Sequence, residues 1–95
     1  MAVAVEMNFR GATLDQYDQV IEKMGLSAGD VTPPGAIFHW VAKTDDGIRV
    51  VDVWETREQF DRFAAEQIGP YSEEAGIPAP PELSYHDVHN TLPHD

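Results

Sequence analysis

From Val3 to Phe9 the chain alternates, with Val3, Val5, Met7 and Phe9 on one side and Ala4, Glu6 and Asn8 on the other. A period of two is the pattern of a half-buried strand, because successive side chains point to opposite faces. Arg10-Gly11-Ala12 turns the chain, and Leu14, Tyr17, Ile21 and Met24 then recur at helical spacing behind Thr13. Thr13 and Gln16 are spaced as a capping box, in which each side chain satisfies the backbone amide of the other. Gly25 supplies the stop, and Leu26 to Gly35, with Pro33-Pro34, predicts an irregular loop.

Two β-rich runs follow, Ala36 to Thr44 and Ile48 to Trp54, separated by Asp45-Asp46-Gly47. Asp-Gly between such runs signals a hairpin. A two-residue turn at Asp46-Gly47 sets His39 opposite Trp54 and Trp40 opposite Val53, whereas a three-residue bulged loop shifts the partners by one. Thr56 and Gln59 repeat the capping-box spacing. Phe60, Phe63 and Ala64 then form the stripe of a second helix expected to end near Gly69-Pro70, with Pro70 beginning a short extra turn. Pro78 to Pro81 stiffens the approach to a last alternating run, Glu82 to Val88.

The chain also repeats itself. Thr13-Leu14-Asp15-Gln16-Tyr17-Asp18-Gln19-Val20 recurs as Thr56-Arg57-Glu58-Gln59-Phe60-Asp61-Arg62-Phe63, each copy following a Val-rich strand. A repeated strand-then-helix unit predicts an α+β, ferredoxin-like βαββαβ fold, residues 1–95 forming one domain. Its four-stranded antiparallel sheet would carry two helices on one face. The other face of the hairpin still holds a Trp or Phe with Val or Ile, so a sheet-to-sheet homodimer is expected.

Composition narrows the partners. Seventeen Asp and Glu against six Lys and Arg give a formal charge of −11, which repels phosphate backbones and anionic lipids and argues against nucleic-acid or membrane partners. The absence of Cys excludes disulfides, thiolate nucleophiles and Cys-ligated metals. With no basic leader and no apolar run approaching the ~20 residues that span a bilayer, a cytoplasmic setting is expected. No Gly-rich phosphate loop or nucleophile elbow is present, so no nucleotide cofactor is expected.

The candidate chemistry rests on imidazoles and aromatics. His39 interrupts the apolar run Ile37-Phe38-His39-Trp40-Val41, where an imidazole needs a partner to offset its desolvation. Asp52 lies between Val50 and Trp54 on the same strand face, and Asp87 and His89 share a face with Tyr85. Convergence of His39, Asp52, Asp87 and His89 on one pocket would make His39 a general base helped by Asp52 or His89. Trp40, Trp54 and Tyr85 are the aromatic lining candidates. His86 and His89 are three apart, on opposite strand faces, so no metal pair is expected; His86 and His94 are read as structural or solvent-exposed.

The run Val50-Val51-Asp52-Val53-Trp54-Glu55-Thr56-Arg57-Glu58-Gln59-Phe60 resembles the hydrophobic strand, Trp, short polar step and aromatic-bearing helix of the dimeric α+β barrel proteins, the antibiotic-biosynthesis-monooxygenase-like (ABM) group. Within it, His39 and His89-Asn90 resemble small actinobacterial-type members. The resemblance extends over nearly the whole chain and implies a dimeric barrel binding or transforming a small aromatic or polyketide-like metabolite, as a cofactor-independent monooxygenase, isomerase or cyclase. Oxygenases of the group position an aromatic substrate with Asn, Trp and Tyr, for which Asn8, Trp54 and Tyr85 or Tyr71 are available. Its haem-degrading members carry a helix Trp and a later His where this chain has Phe63 and Glu73 or Glu74, so haem chemistry is disfavoured and no cofactor is expected. The alternative is a non-catalytic, stress-related or ligand-binding barrel whose pocket is plugged by Trp and Phe.

Overall fold

The computed structural model describes residues 2–27 and 32–92; His94 and positions 28–31 of the first loop lie outside the described residues. Strand β1 (Val3–Arg10) leads into helix α1 (Leu14–Met24), and β2 (Ala36–Thr44) and β3 (Gly47–Trp54) form the hairpin. A second helical stretch follows as α2 (Arg57–Phe63), a π-helical turn over Ala64–Ile68, and α3 (Gly69–Glu74), before β4 (Glu82–Asp87). The strands pair antiparallel in the order β2-β3-β1-β4, the predicted ferredoxin-like arrangement.

The strand period decides which face is covered. Val3, Val5, Met7 and Phe9 are all buried and pair across to Trp54, Asp52, Val50 and Ile48. These side chains form one layer under the helices, closed by Ala12, Phe60 and Ile68. Each fully buried residue of this kind stabilises the fold by about 1.5–3 kcal/mol.

Both helices start where the polar pattern places them. The Thr13 hydroxyl accepts the Gln16 amide at 3.1 Å, and the Gln16 side chain accepts the Thr13 amide at 2.9 Å. At the second helix Thr56 accepts the Gln59 amide at 3.2 Å, while its hydroxyl donates to Gln59 Oε1 at 3.1 Å. The first helix ends at Gly25, in the left-handed region at φ 78°, with its amide bonded back to Glu22.

The second helix runs on past Gly69-Pro70 to Glu74 without a break, and the short extra turn expected at Pro70 is α3. Pro70 cannot donate the next helical hydrogen bond, and its ring would crowd the carbonyl one turn back. The preceding turn widens instead, the Gly69 amide reaching the Ala64 carbonyl five residues back, and the helix resumes with Pro70 in its first turn.

The hairpin turn is one residue earlier than expected. Asp45-Asp46 form the two-residue connection, so Thr44 pairs with Gly47 and His39 with Asp52. Pairing shifts by two relative to an Asp46-Gly47 turn, and the same side chains stay on the same face. Neither Asp has a positive φ, so this is not the mirror-image turn that Asp-Gly usually builds. Gly47 is needed for close approach: a Cβ there would run into the Phe9 carbonyl oxygen of β1, beside the 2.6 Å hydrogen bond from the Gly11 amide to Asp46 O.

Gly47→Ala is therefore expected to force β1 and β3 apart and destabilise the protein by about 1–3 kcal/mol, the range of core overpacking. Urea unfolding measures the loss; an unchanged midpoint would show that the strands separate freely.

Candidate functional site

Asp52 is the only buried charged residue among the described ones, at 5% exposure. Strand pairing puts it between Val5 of β1 and His39 of β2, with Trp54 two residues along the same face. A carboxylate in that layer requires hydrogen-bond donors, since burial of an unpaired charge is strongly unfavourable. It has two: Trp54 Nε1–H donates to Oδ2 at 3.0 Å, and His39 Nδ1 lies 2.6 Å from Oδ1.

That second contact fixes the histidine. A carboxylate only accepts, so neutral His39 carries its proton on Nδ1 and presents Nε2 as an acceptor. The hydroxyl of Tyr17, on α1, donates to Nε2. The tyrosine and imidazole rings lie nearly parallel, 11° apart in plane with centroids 5.8 Å apart. Tyr17, His39, Asp52 and Trp54 thus form one hydrogen-bonded chain running from helix to sheet.

The burden of burial falls differently from the sequence expectation. β2 is an edge strand, and the His39 side chain is 40% exposed; the desolvated partner is Asp52. A bulge between Ala36 and Phe38 precedes His39 and locally alters the path of β2.

These residues edge a cavity of about 450 Å³ between the sheet and the helices. Its wall is almost wholly apolar, with Met7, Phe9, Val20, Met24 and Val50 among the lining and, among the described residues, Tyr17, His39 and Asp52 as its titratable groups. Trp54 closes one side, packed against Phe60 and Phe63 with ring centroids 6.0 and 5.1 Å away. The second helix adds Ile68 from the π turn and Ser72 from beyond Pro70. Apolar walls with a few convergent polar groups are the usual make-up of a small-molecule site.

Of the residues singled out from the sequence, the structure brings together His39, Asp52 and Trp54. The others stand apart. Asn8 is on the opposite sheet face, accepting from Arg49 Nε at 2.8 Å and donating to Glu6 at 3.1 Å. Trp40 pairs with Val51 on that same face. Tyr85 packs on Phe60, carries the Arg57 guanidinium 3.7 Å over its ring and donates to Asp61 at 3.4 Å. His89 is exposed past the end of β4. β4 and β2 are opposite edges of the sheet, about 14 Å apart at three strand spacings, so the expected meeting of His39 with Asp87 and His89 does not form within this chain. Phe63 and Glu74, at positions compared with the haem-degrading pattern, are packed on Trp54 and paired with Lys23 at 3.5 Å respectively.

Tyr17 is the participant that sequence reasoning missed. It sits at helical spacing among Leu14, Ile21 and Met24 and passes for a stripe residue. The internal repeat held the signal: the matching position in the second copy is Phe60, buried to 1%, so only the first copy keeps a hydroxyl there.

No protein-family model matches the sequence, and no curated protein is significantly similar to it. Solved structures are. SnoaB of Streptomyces nogalater, a cofactor-independent oxygenase, aligns over 98% of this chain and 97% of its own at 18% identity and a TM-score of 0.60. ActVA-Orf6 of Streptomyces coelicolor, a monooxygenase in complex with nanaomycin D, aligns over 99% and 92% at 20% identity and 0.55. A candidate antibiotic biosynthesis monooxygenase of Chloroflexus aurantiacus aligns over 96% of both chains at 22% identity and 0.60. The fold is that of the ABM-like proteins. Likeness at this identity establishes the ABM-like architecture, and the chemistry has to come from the site. Among the described residues, no helix is long and apolar enough to cross a membrane.

The Tyr17 hydroxyl is pushed up from its ordinary 10.0 to about 12, first by burial and then by the negative charges of Asp52 and Asp18. The folded state therefore holds this proton after the unfolded chain has released it, and the associated stability is present below pH 10 and lost as pH rises toward about 12. Tyr17→Phe should flatten that alkaline loss, read as the slope of unfolding free energy against pH. An equal slope in both proteins would place the titration elsewhere.

Proposed function

We propose that the protein binds a small aromatic or polyketide-like metabolite in the cavity between sheet and helices and transforms it by proton abstraction, with His39 as the base. The observation that carries this reading is an imidazole of fixed tautomer at the wall of an otherwise apolar cavity. Asp52 orients the ring and stabilises the imidazolium formed when Nε2 takes a proton, as a buried carboxylate does behind any catalytic histidine. Removing a proton from a phenol, an enol or an activated C–H is the opening step of cofactor-independent oxygenation, of isomerisation and of cyclisation alike, and general-base catalysis of it contributes about 10²–10⁴-fold. The nanaomycin D complex of ActVA-Orf6 supports the choice of a small-molecule ligand of this kind. The open cavity beside Trp54 and Phe63 favours a ligand site over the plugged, non-catalytic barrel.

The working form is a cytoplasmic homodimer joined through the helix-free sheet face. Trp40 stands on that face at 41% exposure and Phe38 at its edge at 60%, beside Val51 and Val53. An apolar patch there is suited to a second copy, whose matching face covers it about a two-fold axis.

Nanaomycin D, titrated into the protein, is expected to quench tryptophan emission through contact near Trp54. His39→Ala should keep that binding within about threefold while lowering oxygen uptake or isomerisation with a naphthohydroquinone by about 10²-fold or more. Absence of quenching, or full turnover without the imidazole, would overturn the reading. Native mass spectrometry should give a dimer, converted to monomer by Trp40→Glu; a wild-type monomer would remove the sheet-face interface.

A further inference from the structure

His39 Nε2 does not open directly onto the cavity, because the Tyr17 hydroxyl already occupies it. The near-parallel rings place Tyr17 alongside the imidazole, and Tyr17 itself lines the cavity. A phenol has one proton to donate and two lone pairs to accept with. The proton is committed to His39, and the hydroxyl makes no other hydrogen bond among the described residues. What it still offers a ligand is therefore an acceptor, and the ligand group that suits it is a hydroxyl.

On that basis, and resting on the function proposed above, we infer that Tyr17 is the residue that touches substrate, taking the proton of a phenolic or enolic hydroxyl while passing its own to His39 Nε2. The substrate O–H bond breaks as a new O–H bond forms on Tyr17; the former Tyr17 O–H bond breaks as an N–H bond forms on His39. The products are a substrate oxyanion, a neutral tyrosine and an imidazolium whose Nδ1–H stays on Asp52. No electron changes owner, and the net charge of the site is conserved. Among the described residues, the charged or titratable groups facing Tyr17 are His39, Asp52 and Asp18. Two of the three are carboxylates, and together with burial they hold Tyr17 neutral. The two transfers are therefore coupled, without a free tyrosinate between them.

The same wall defines the substrate class. Among the described residues no Lys or Arg lines the cavity, and Asp52 is the carboxylate that does. In a chain of net charge −11, a substrate entering as a carboxylate, phosphate or thioester of an anionic carrier would meet repulsion without a counter-ion. The substrate class that follows is a neutral phenol or enol.

The probe is 4-nitrophenol, whose absorbance reports its own ionisation. Bound to the wild-type protein, it should ionise about one unit below its value in free solution, because the displaced proton rests on His39 above the Asp52 carboxylate. Tyr17→Phe keeps the ring but removes the acceptor, so it should bind the neutral probe about two- to tenfold more weakly while abolishing the shift; His39→Ala should abolish the shift as well. An equal or larger shift in Tyr17→Phe would mean that the ligand reaches Nε2 directly, and a shift surviving in His39→Ala would mean that the proton goes elsewhere; either overturns the relay while leaving the ligand site intact. Failure of the wild-type protein to bind 4-nitrophenol or nanaomycin D would instead remove the ligand site and the relay with it.

Discussion

The site depends on one buried carboxylate. Asp52 occupies a position that the strand alternation otherwise gives to apolar residues, between Val50 and Trp54 and across from Val5. Taking it out of water is unfavourable by several kcal/mol, offset only when its lone pairs are filled by well-placed donors. Trp54 and His39 fill them from the same layer, one on the same strand and the other on the edge strand. The requirement propagates outward: the imidazole is held in one tautomer, its second nitrogen becomes an acceptor, and α1 supplies the Tyr17 hydroxyl that satisfies it. Local stability and chemical competence are thus one network, and removing any member leaves a polar group stranded beside an apolar cavity.

Most of the architecture was legible because it follows from local rules. The alternation from Val3, the two Thr-to-Gln capping spacings and the Asp-Gly between β-rich runs each specify an element without reference to the rest of the chain. The second helix shows where local rules stop. Gly69-Pro70 is a fair stop signal in isolation, yet a widened turn accommodates the missing amide, and the segment beyond it continues to line the cavity with Ser72. The residue order marks Pro70 as the start of a further turn, but not that the turn before it widens to keep the two parts continuous.

The site was legible in half. His39 and Asp52 stand out as polar residues on apolar strands, and Trp54 as a neighbour on the Asp52 face. Their meeting depends on hairpin register, which the sequence left between alternatives. His89, Asp87 and Tyr85 were grouped with them by strand face alone; strand order puts them at the far side of the sheet, a relation that no local pattern encodes. Tyr17 escaped because a tyrosine in a helical stripe is usually a core residue whose hydroxyl happens to find a partner. Only the comparison with Phe60 across the repeat separates the two cases.

The hairpin register bears on how such a site can change over time. The turn lies one residue earlier than Asp-Gly suggests, and the pairing differs by two, yet His39 still faces the layer that holds Asp52 and Trp54. Strand faces obey parity: a slide of two positions exchanges one neighbour for another on the same side, whereas a slide of one turns the imidazole toward the sheet's uncovered surface. Register errors in the hairpin are therefore graded by parity: an even slip leaves the imidazole facing the cavity but takes it from Asp52 and strands the buried carboxylate, while an odd slip removes it from that face altogether.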